Sequence, residues 1–357
     1  MPSQLSLAKA HHGPKLIPPK FISGETLAFE ALMGSMAYGC NTDNSDLDVY
    51  GFCFPPLEYV FPASVGHIPG FGPNPPAFEV WQEHHVERPN GQGQWDFQVY
   101  GVVKFLSLVC DNNPNMVDAL FVPERCVTVL TEPAAYLREH RREFLHKGAW
   151  HRFRGYAHSQ LHKIRTKSHA NLKEVMELEV WLDLPQSTTY EEALALPDSN
   201  PNHKREDPEL YQINLEEYRR LYAEGIKLSK RFERVKIDGF DRKFAYHVVR
   251  LLLECEQILV EGDLDIQRDR EVYKAIRRGE WTLPQLEAWC EEKSRQLEGT
   301  YTACTLPHSP DWGRMRAHLM HVLEMHYGSL GAVYRQAPTL ERDALRDIRS
   351  ILERTGH

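Results

Sequence analysis

The chain has 357 residues, 42% of them hydrophobic and 26% charged, which is enough for two ordinary domains with their own cores, and it reads as a soluble globular protein. Its net charge of −8 excludes a protein that coats nucleic acid indiscriminately, because such binding rests on many Lys/Arg–phosphate contacts. No stretch reaches the roughly 18 apolar residues of a membrane helix, no secretory leader pattern opens the chain, and the seven cysteines are scattered without C-x-x-C spacing. The expectations are no membrane span, a cytoplasmic location, and free, mostly buried thiols instead of disulfides or a structural zinc site.

In chain order, residues 1–20 read as an irregular lead-in. Short β-like runs follow, separated by Gly and Pro: Leu27–Leu32, Leu47–Phe54, Phe78–Val86, Phe97–Tyr100 and Cys126–Leu130. Val102–Cys110 and Met116–Phe121 read as helices on either side of an Asn113–Pro114 break, and 66–76 and 88–94 as surface loops. After Pro133 the apolar spacing changes to a 3.6-residue period, predicting helices near 134–146, 151–180, 213–234, 241–261, 269–278, 283–298, 311–334 and 338–354. The polar segment 183–208 reads as a flexible insertion between helices. The fold class is therefore α+β: a mixed sheet with flanking helices over 1–132, followed by a mainly helical domain over 133–357.

Charge is unevenly spread. From Arg138 to Lys167 there are nine Lys/Arg against two Glu, with Tyr136, Phe144, Trp150, Phe153 and Tyr156 interleaved. This stripe is either a solvated helix face or a groove for a polyanion with stacking surfaces beside it.

The string that carries chemistry runs from Met33 to Gly51, MGSMAYGCNTDNSDLDVYG. Asp46 and Asp48 stand two residues apart in a strand-like run, so both carboxylates project from one face. Two hard anionic ligands converging in this way suit Mg²⁺, which is usually held by one or two carboxylates plus substrate phosphates. Upstream, Gly34 and Ser35 follow an apolar strand-like run; their small size allows a turn whose backbone N–H groups approach a phosphate, and the Ser35 hydroxyl adds a donor. Tyr38, Gly39, Asn41, Thr42 and Ser45 make a polar loop leading into the carboxylate strand.

The pattern G-S-x-A-Y-G-x-N-T-x-x-S-D-x-D resembles the signature of the DNA polymerase beta nucleotidyltransferase superfamily, and within it the branch of predicted nucleotidyltransferases from an RNA-repair pathway, the RlaP type. The similarity continues through Trp95–Phe121, and more weakly through 153–163 and 243–253. The resemblance implies that Gly34 and Ser35, with Tyr38, Asn41 and Ser45 around them, hold the nucleotide, that Asp46 and Asp48 bind metals, and that Asp96 is the third carboxylate. Asp96 also lies in an aromatic, strand-like run after a Gly-rich loop, where a ligand could arrive from a neighbouring strand; Glu79, Glu83 and Glu87 are its rivals. The chemistry implied is two-metal in-line displacement at the α-phosphate of an NTP, with two Mg²⁺ or Mn²⁺ ions as cofactors.

Lys243, Tyr246 and Arg250 share a stripe on a predicted helix and are candidates for triphosphate contacts, with a solvated helix side as the alternative; Lys104 has the same two readings. His84 and His85 are adjacent, so on a strand they point to opposite faces and do not chelate one ion together. His158, His162 and His169 read as surface residues, and no zinc is assigned.

The expected function is a nucleotidyltransferase of the EC 2.7.7 type moving NMP from NTP to an acceptor hydroxyl, on RNA and in its most specific form a tRNA 3′ end, with release of pyrophosphate. The alternatives are nucleotidylation of a protein side chain or small molecule, and a non-catalytic NTP- or RNA-binding regulator.

Overall fold

The computed structural model describes residues 2–41, 45–65, 67, 72, 77–166, 170–198, 207–228, 232–329 and 331. The chain forms two compact units: the first comprises 1–152, 257–270 and the chain from 304 on, the second 153–256 and 271–303.

The first unit is built on a five-stranded mixed sheet of β1 (Leu27–Leu32), β2 (Leu47–Cys53), β3 (Val80–Glu87), β4 (Gln94–Gly101) and β5 (Val127–Leu130), in the order β3-β4-β2-β1-β5. β2 and β4 are parallel; β1 pairs with β2 and β5, and β3 with β4, antiparallel. All five runs expected from the sequence are strands. Their two faces differ because side chains alternate. One face carries Leu47, Val49, Trp95, Phe97 and Val99, all buried. The other carries Asp48, Tyr50, Asp96, Gln98 and Tyr100, each half-buried, and is aromatic and buried at Phe29 and Phe52. There the helix Val102–Cys110 packs, because Val102, Phe105, Leu106, Val109 and Cys110 recur at helical spacing and present one apolar stripe. Phe105 meets Phe52 with ring centroids 4.8 Å apart.

The lead-in is not irregular: Gln4–His12 is a helix. What holds it is Glu30, fully buried in β1. Its carboxylate accepts the N–H of Gln4 (2.5 Å) and Leu5 (3.0 Å) and the hydroxyls of Ser3 (3.1 Å) and Thr128 (2.6 Å). A helix offers unpaired N–H groups and positive potential at its start, so a buried anion placed there satisfies both partners. Gln4 also accepts the indole N–H of Trp95 at 3.1 Å, which seats this helix on the apolar face.

In the second unit the helices Ala170–Leu182 and Pro208–Leu228 bury Val175, Leu215, Tyr218 and Tyr222 around a polar centre. Lys236, fully buried, is ion-paired with Glu179 and donates to the Thr188 carbonyl, and Tyr218 donates to Glu179 at 2.8 Å. The segment expected as a flexible insertion holds a helix, Tyr190–Ala195. A reciprocal capping box starts it: Thr189 Oγ1 accepts the Glu192 N–H, and Glu192 Oε2 accepts the Thr189 N–H. The rest of that insertion at 199–206, most of 66–76 and the expected helix 338–354 lie outside the described residues.

All seven cysteines are free thiols, six of them buried, as expected. Burial pushes the Cys53 thiol up to about 12 and Cys110 up to about 11. Among the described residues no helix is long and apolar enough to cross a membrane.

Two outcomes are expected. Glu30→Gln replaces a charge-assisted acceptor by a neutral amide with two donors, so urea unfolding should show a loss of about 1.5–3 kcal/mol; a change under about 0.5 kcal/mol would mean that the helix start is held otherwise. His146 is buried with Nε2 2.8 Å from the Cys110 carbonyl and Nδ1 accepting the Gly148 N–H, which fits the neutral ring. Burial holds its pKa below the ordinary 6.5. The unfolded chain therefore takes up the proton more readily, and this contribution to stability is present above pH 6.5 and lost as pH falls through and below it. An NMR titration should place the His146 midpoint below 6.5; a midpoint at or above that value contradicts the assignment.

Candidate active site

The register of the parallel β2–β4 ladder sets Asp48 opposite Asp96. Paired residues on neighbouring strands point to the same face, with backbones about 4.8 Å apart, so the two carboxylates stand side by side on the polar face. Asp46 precedes β2 at the same end and is exposed; its Oδ1 accepts the Gln94 N–H at 3.0 Å. The pairing also separates Asp96 from one of its rivals, Glu83. Glu83 is the partner of Phe97 and so belongs to the opposite face, while Glu79, before β3 begins, is ion-paired with Lys104 at 2.9 Å. Glu87 lies across from Gln94.

β1 runs antiparallel to β2 and ends where β2 begins, which brings the Gly34–Ala37 turn to the carboxylates. Met33 N–H donates to the Asp48 carbonyl at 2.7 Å. Gly34 adopts φ +57°, and a Cβ there would overlap Asp48 Oδ2 and stand 2.8 Å from its Cγ. The glycine is thus required twice, by its backbone and by the carboxylate packed against it. Ser35 is half-buried in the same turn, its carbonyl accepting the Cys40 N–H at 2.9 Å; Ser45 is half-buried and Asn41 exposed on the loop beyond. Thr42 lies outside the described residues.

Tyr38 is a core residue instead of a lining one. It is 3% exposed and its hydroxyl donates to buried Asp118 at 2.7 Å. The turn is fastened from below by Cys126, whose thiol faces the Met36 carbonyl at 3.8 Å, and from the side by Gln267. That side chain donates to the Ala37 carbonyl and accepts from Arg125 at 2.6 Å. Gln267 is 230 residues from Ala37 and carries no local pattern, so no sequence signal could have found it.

Lys243, Tyr246 and Arg250 belong to the second unit, on the helix Arg242–Glu261. Lys243 is exposed there. Tyr246 and Arg250 are 3% exposed, the tyrosine stacked on His247 (4.3 Å) and the arginine paired with buried Glu254 at 2.8 Å. The last two are interior residues on a helix whose residues from 244 to 259 are all buried or half-buried.

Five arginines of the basic stripe have partners within their own units. Arg138 donates to the carbonyls of Leu120 and Val122, Arg141 to that of Arg138, and Arg142, Arg152 and Arg154 pair with Asp263, Asp111 and Glu298. Phe144, Trp150 and Phe153 are buried. Lys167 and the side chains of Lys163 and Arg165 lie outside the described residues.

One arrangement runs against the sequence reading. His84 and His85 do not alternate: β3 bulges between Glu83 and Val86, and His85 has φ +59°. The His85 N–H donates to Asp96 Oδ1 at 2.8 Å, and His84 Nδ1 is 3.5 Å from the same oxygen. A signal was present. Trp81 and Val86 are five positions apart, and both join the apolar face, Trp81 stacked near Phe97 and Val86 paired with Trp95, which an unbroken two-residue period forbids.

The three aspartates lie at one end of the sheet, and carboxylate oxygens are the kind of ligand that hard divalent cations take. Among the described residues no three His, Cys, Asp or Glu side chains close on one point; Asp46 and Asp96 are each turned to a main-chain N–H by one oxygen.

Residues 11–178, just under half of the chain, match the model of the family described as RlaP: RNA repair pathway DNA polymerase beta family. No curated protein matches the sequence. Among solved structures, a nucleotidyltransferase-like protein from Exiguobacterium sibiricum 255-15 is 12% identical over 84% of this chain and 89% of that one, with a TM-score of 0.24.

Gly34→Ala is expected to lower the unfolding free energy by about 1–3 kcal/mol, through left-handed strain and the displaced Asp48 carboxylate. An unchanged thermal midpoint would show that the turn can adjust.

Proposed function

We propose, on the premise that residues 11–178 are a domain of the RNA repair pathway DNA polymerase beta family, that this chain transfers a nucleoside monophosphate from an NTP to an acceptor hydroxyl on RNA. The observation that carries the reading is the register pairing of Asp48 with Asp96, with Gly34 packed on the Asp48 carboxylate.

In this reading Asp46, Asp48 and Asp96 hold Mg²⁺ or Mn²⁺ as a pair of ions, the oxygens of Asp46 and Asp96 not engaged by main-chain N–H groups serving as ligands. When bound, the metals neutralise the triphosphate and acidify the acceptor hydroxyl. The Gly34–Ser35 turn receives the phosphates through its backbone N–H groups and the Ser35 hydroxyl. Asp96 accepts the proton as the acceptor oxygen bonds to the α-phosphorus and the bond to pyrophosphate breaks. The remaining contribution of the protein is positioning: the ladder fixes the spacing of the carboxylates, and the fastening of the turn by Tyr38, Cys126 and Gln267 fixes the phosphate side. RNA as the acceptor, a tRNA 3′ end included, is supported by the family description, not by the basic stripe, whose described arginines are engaged within their own units.

The test is incubation with labelled NTPs, Mg²⁺ or Mn²⁺, and separate pools of tRNA, protein and small-molecule acceptors. Label is expected in RNA, and Asp46→Ala and Asp48→Ala should each reduce it by more than about a hundredfold with unchanged thermal stability. Near-normal transfer by either variant overturns the site; label in protein or a small molecule overturns the acceptor; nucleotide binding with no transfer anywhere favours a non-catalytic regulator.

A further inference from the structure

We infer that the bulge at His84–His85 is the device that aims the third carboxylate, and that His85 is a positioning residue acting through its backbone, not its ring. The inference rests on the reading of Asp46, Asp48 and Asp96 as metal carboxylates.

The β3–β4 ladder is regular from Val80↔Tyr100 to Glu83↔Phe97 and resumes at Val86↔Trp95 and Glu87↔Gln94. Two residues of β3, His84 and His85, therefore stand against a single residue of β4, and that residue is Asp96. In an unbroken antiparallel ladder the N–H groups of β3 point at backbone carbonyls of β4 or away from the sheet. The extra residue releases one of them. His85 turns to φ +59°, and its freed N–H meets Asp96 Oδ1 at 2.8 Å. Bulges re-aim side chains beside active sites, and a non-glycine residue is retained in the left-handed region only where the surroundings over-determine it.

The second outer carboxylate is held by the neighbouring β4 residue. His85 Nδ1 lies 3.0 Å from Gln94 Oε1, and the Gln94 N–H holds Asp46 Oδ1. Asp46 and Asp96 flank Asp48, and each has one oxygen fixed by a main-chain N–H. With one oxygen fixed, the direction of the other is fixed as well, which spares a bound cation the cost of ordering two carboxylates. The Gln94 N–H belongs to the backbone and does not depend on the His85 ring. The ring is therefore dispensable, and the left-handed conformation that delivers the His85 N–H is not.

The experiment is Mn²⁺ binding to the full chain, followed by electron paramagnetic resonance, in the wild type, Asp48→Ala, His85→Gly and His85→Val. Glycine keeps the N–H and the conformation and loses only the imidazole; valine keeps the N–H but its branched Cβ resists a positive φ. His85→Gly should bind within about threefold of wild type, and His85→Val about ten- to a hundredfold more weakly. His85→Thr carries the same β-branched penalty in a polar side chain suited to this exposed position and should also bind more weakly, which keeps the test decisive if the valine variant unfolds. Wild-type affinity in His85→Val or His85→Thr overturns the inference while leaving an Asp48-dependent metal site standing. A loss in His85→Gly as large as in His85→Val also overturns it, by assigning the effect to the ring. Wild-type protein without Asp48-dependent Mn²⁺ binding overturns the metal-site reading and this inference with it.

Discussion

The parallel ladder between β2 and β4 is the constraint on which the rest depends. Its register brings Asp48 and Asp96, 48 positions apart, to adjacent places on one face. A slip by one residue would turn one of the two carboxylates into the packed layer of Val49, Trp95 and Phe97, so the hydrophobic pattern that forbids the slip also fixes the site. The chemistry of the polar face is in this sense secured by the packing of the apolar one.

Everything near the carboxylates is arranged around that ladder. β1 ends where β2 begins, so the Gly34 turn meets Asp48 at van der Waals contact. β3 adds its bulge at the one β4 position that carries a carboxylate. Glu30 performs an unrelated task from the next strand, holding the N-terminal helix over the opposite face. The buried Glu30 carboxylate is thus paired with N–H and O–H donors of specific elements, which keeps its charge inside without leaving it unpaired.

How much of this was legible depended on whether the signal was local. The strands, the D-x-D spacing and the glycine–serine turn are short-range patterns, and each appears where its pattern lies. The burial of Tyr38, Tyr246 and Arg250 is not legible for one reason: a polar tip on an aromatic or long side chain looks the same in sequence whether it faces a ligand or a buried partner such as Asp118 or Glu254. The basic stripe shows the same ambiguity for a group of residues, since arginines that cap carbonyls and pair with acids across the fold are indistinguishable in composition from a groove. The bulge was a matter of parity, carried by Trp81 and Val86 and obscured by the polar residues between them.

The sequence by itself determined the pieces: five strands, the helical character of the second half, a small-residue turn and two aspartates on one strand face, because periodicities of two and 3.6 are properties of the chain alone. Only the tertiary structure decided their company. Which glutamate or aspartate joins Asp48, that Gln267 reaches back to the turn, and that His85 serves Asp96 all depend on strand order and register. These in turn follow from how apolar faces far apart in the chain bury one another.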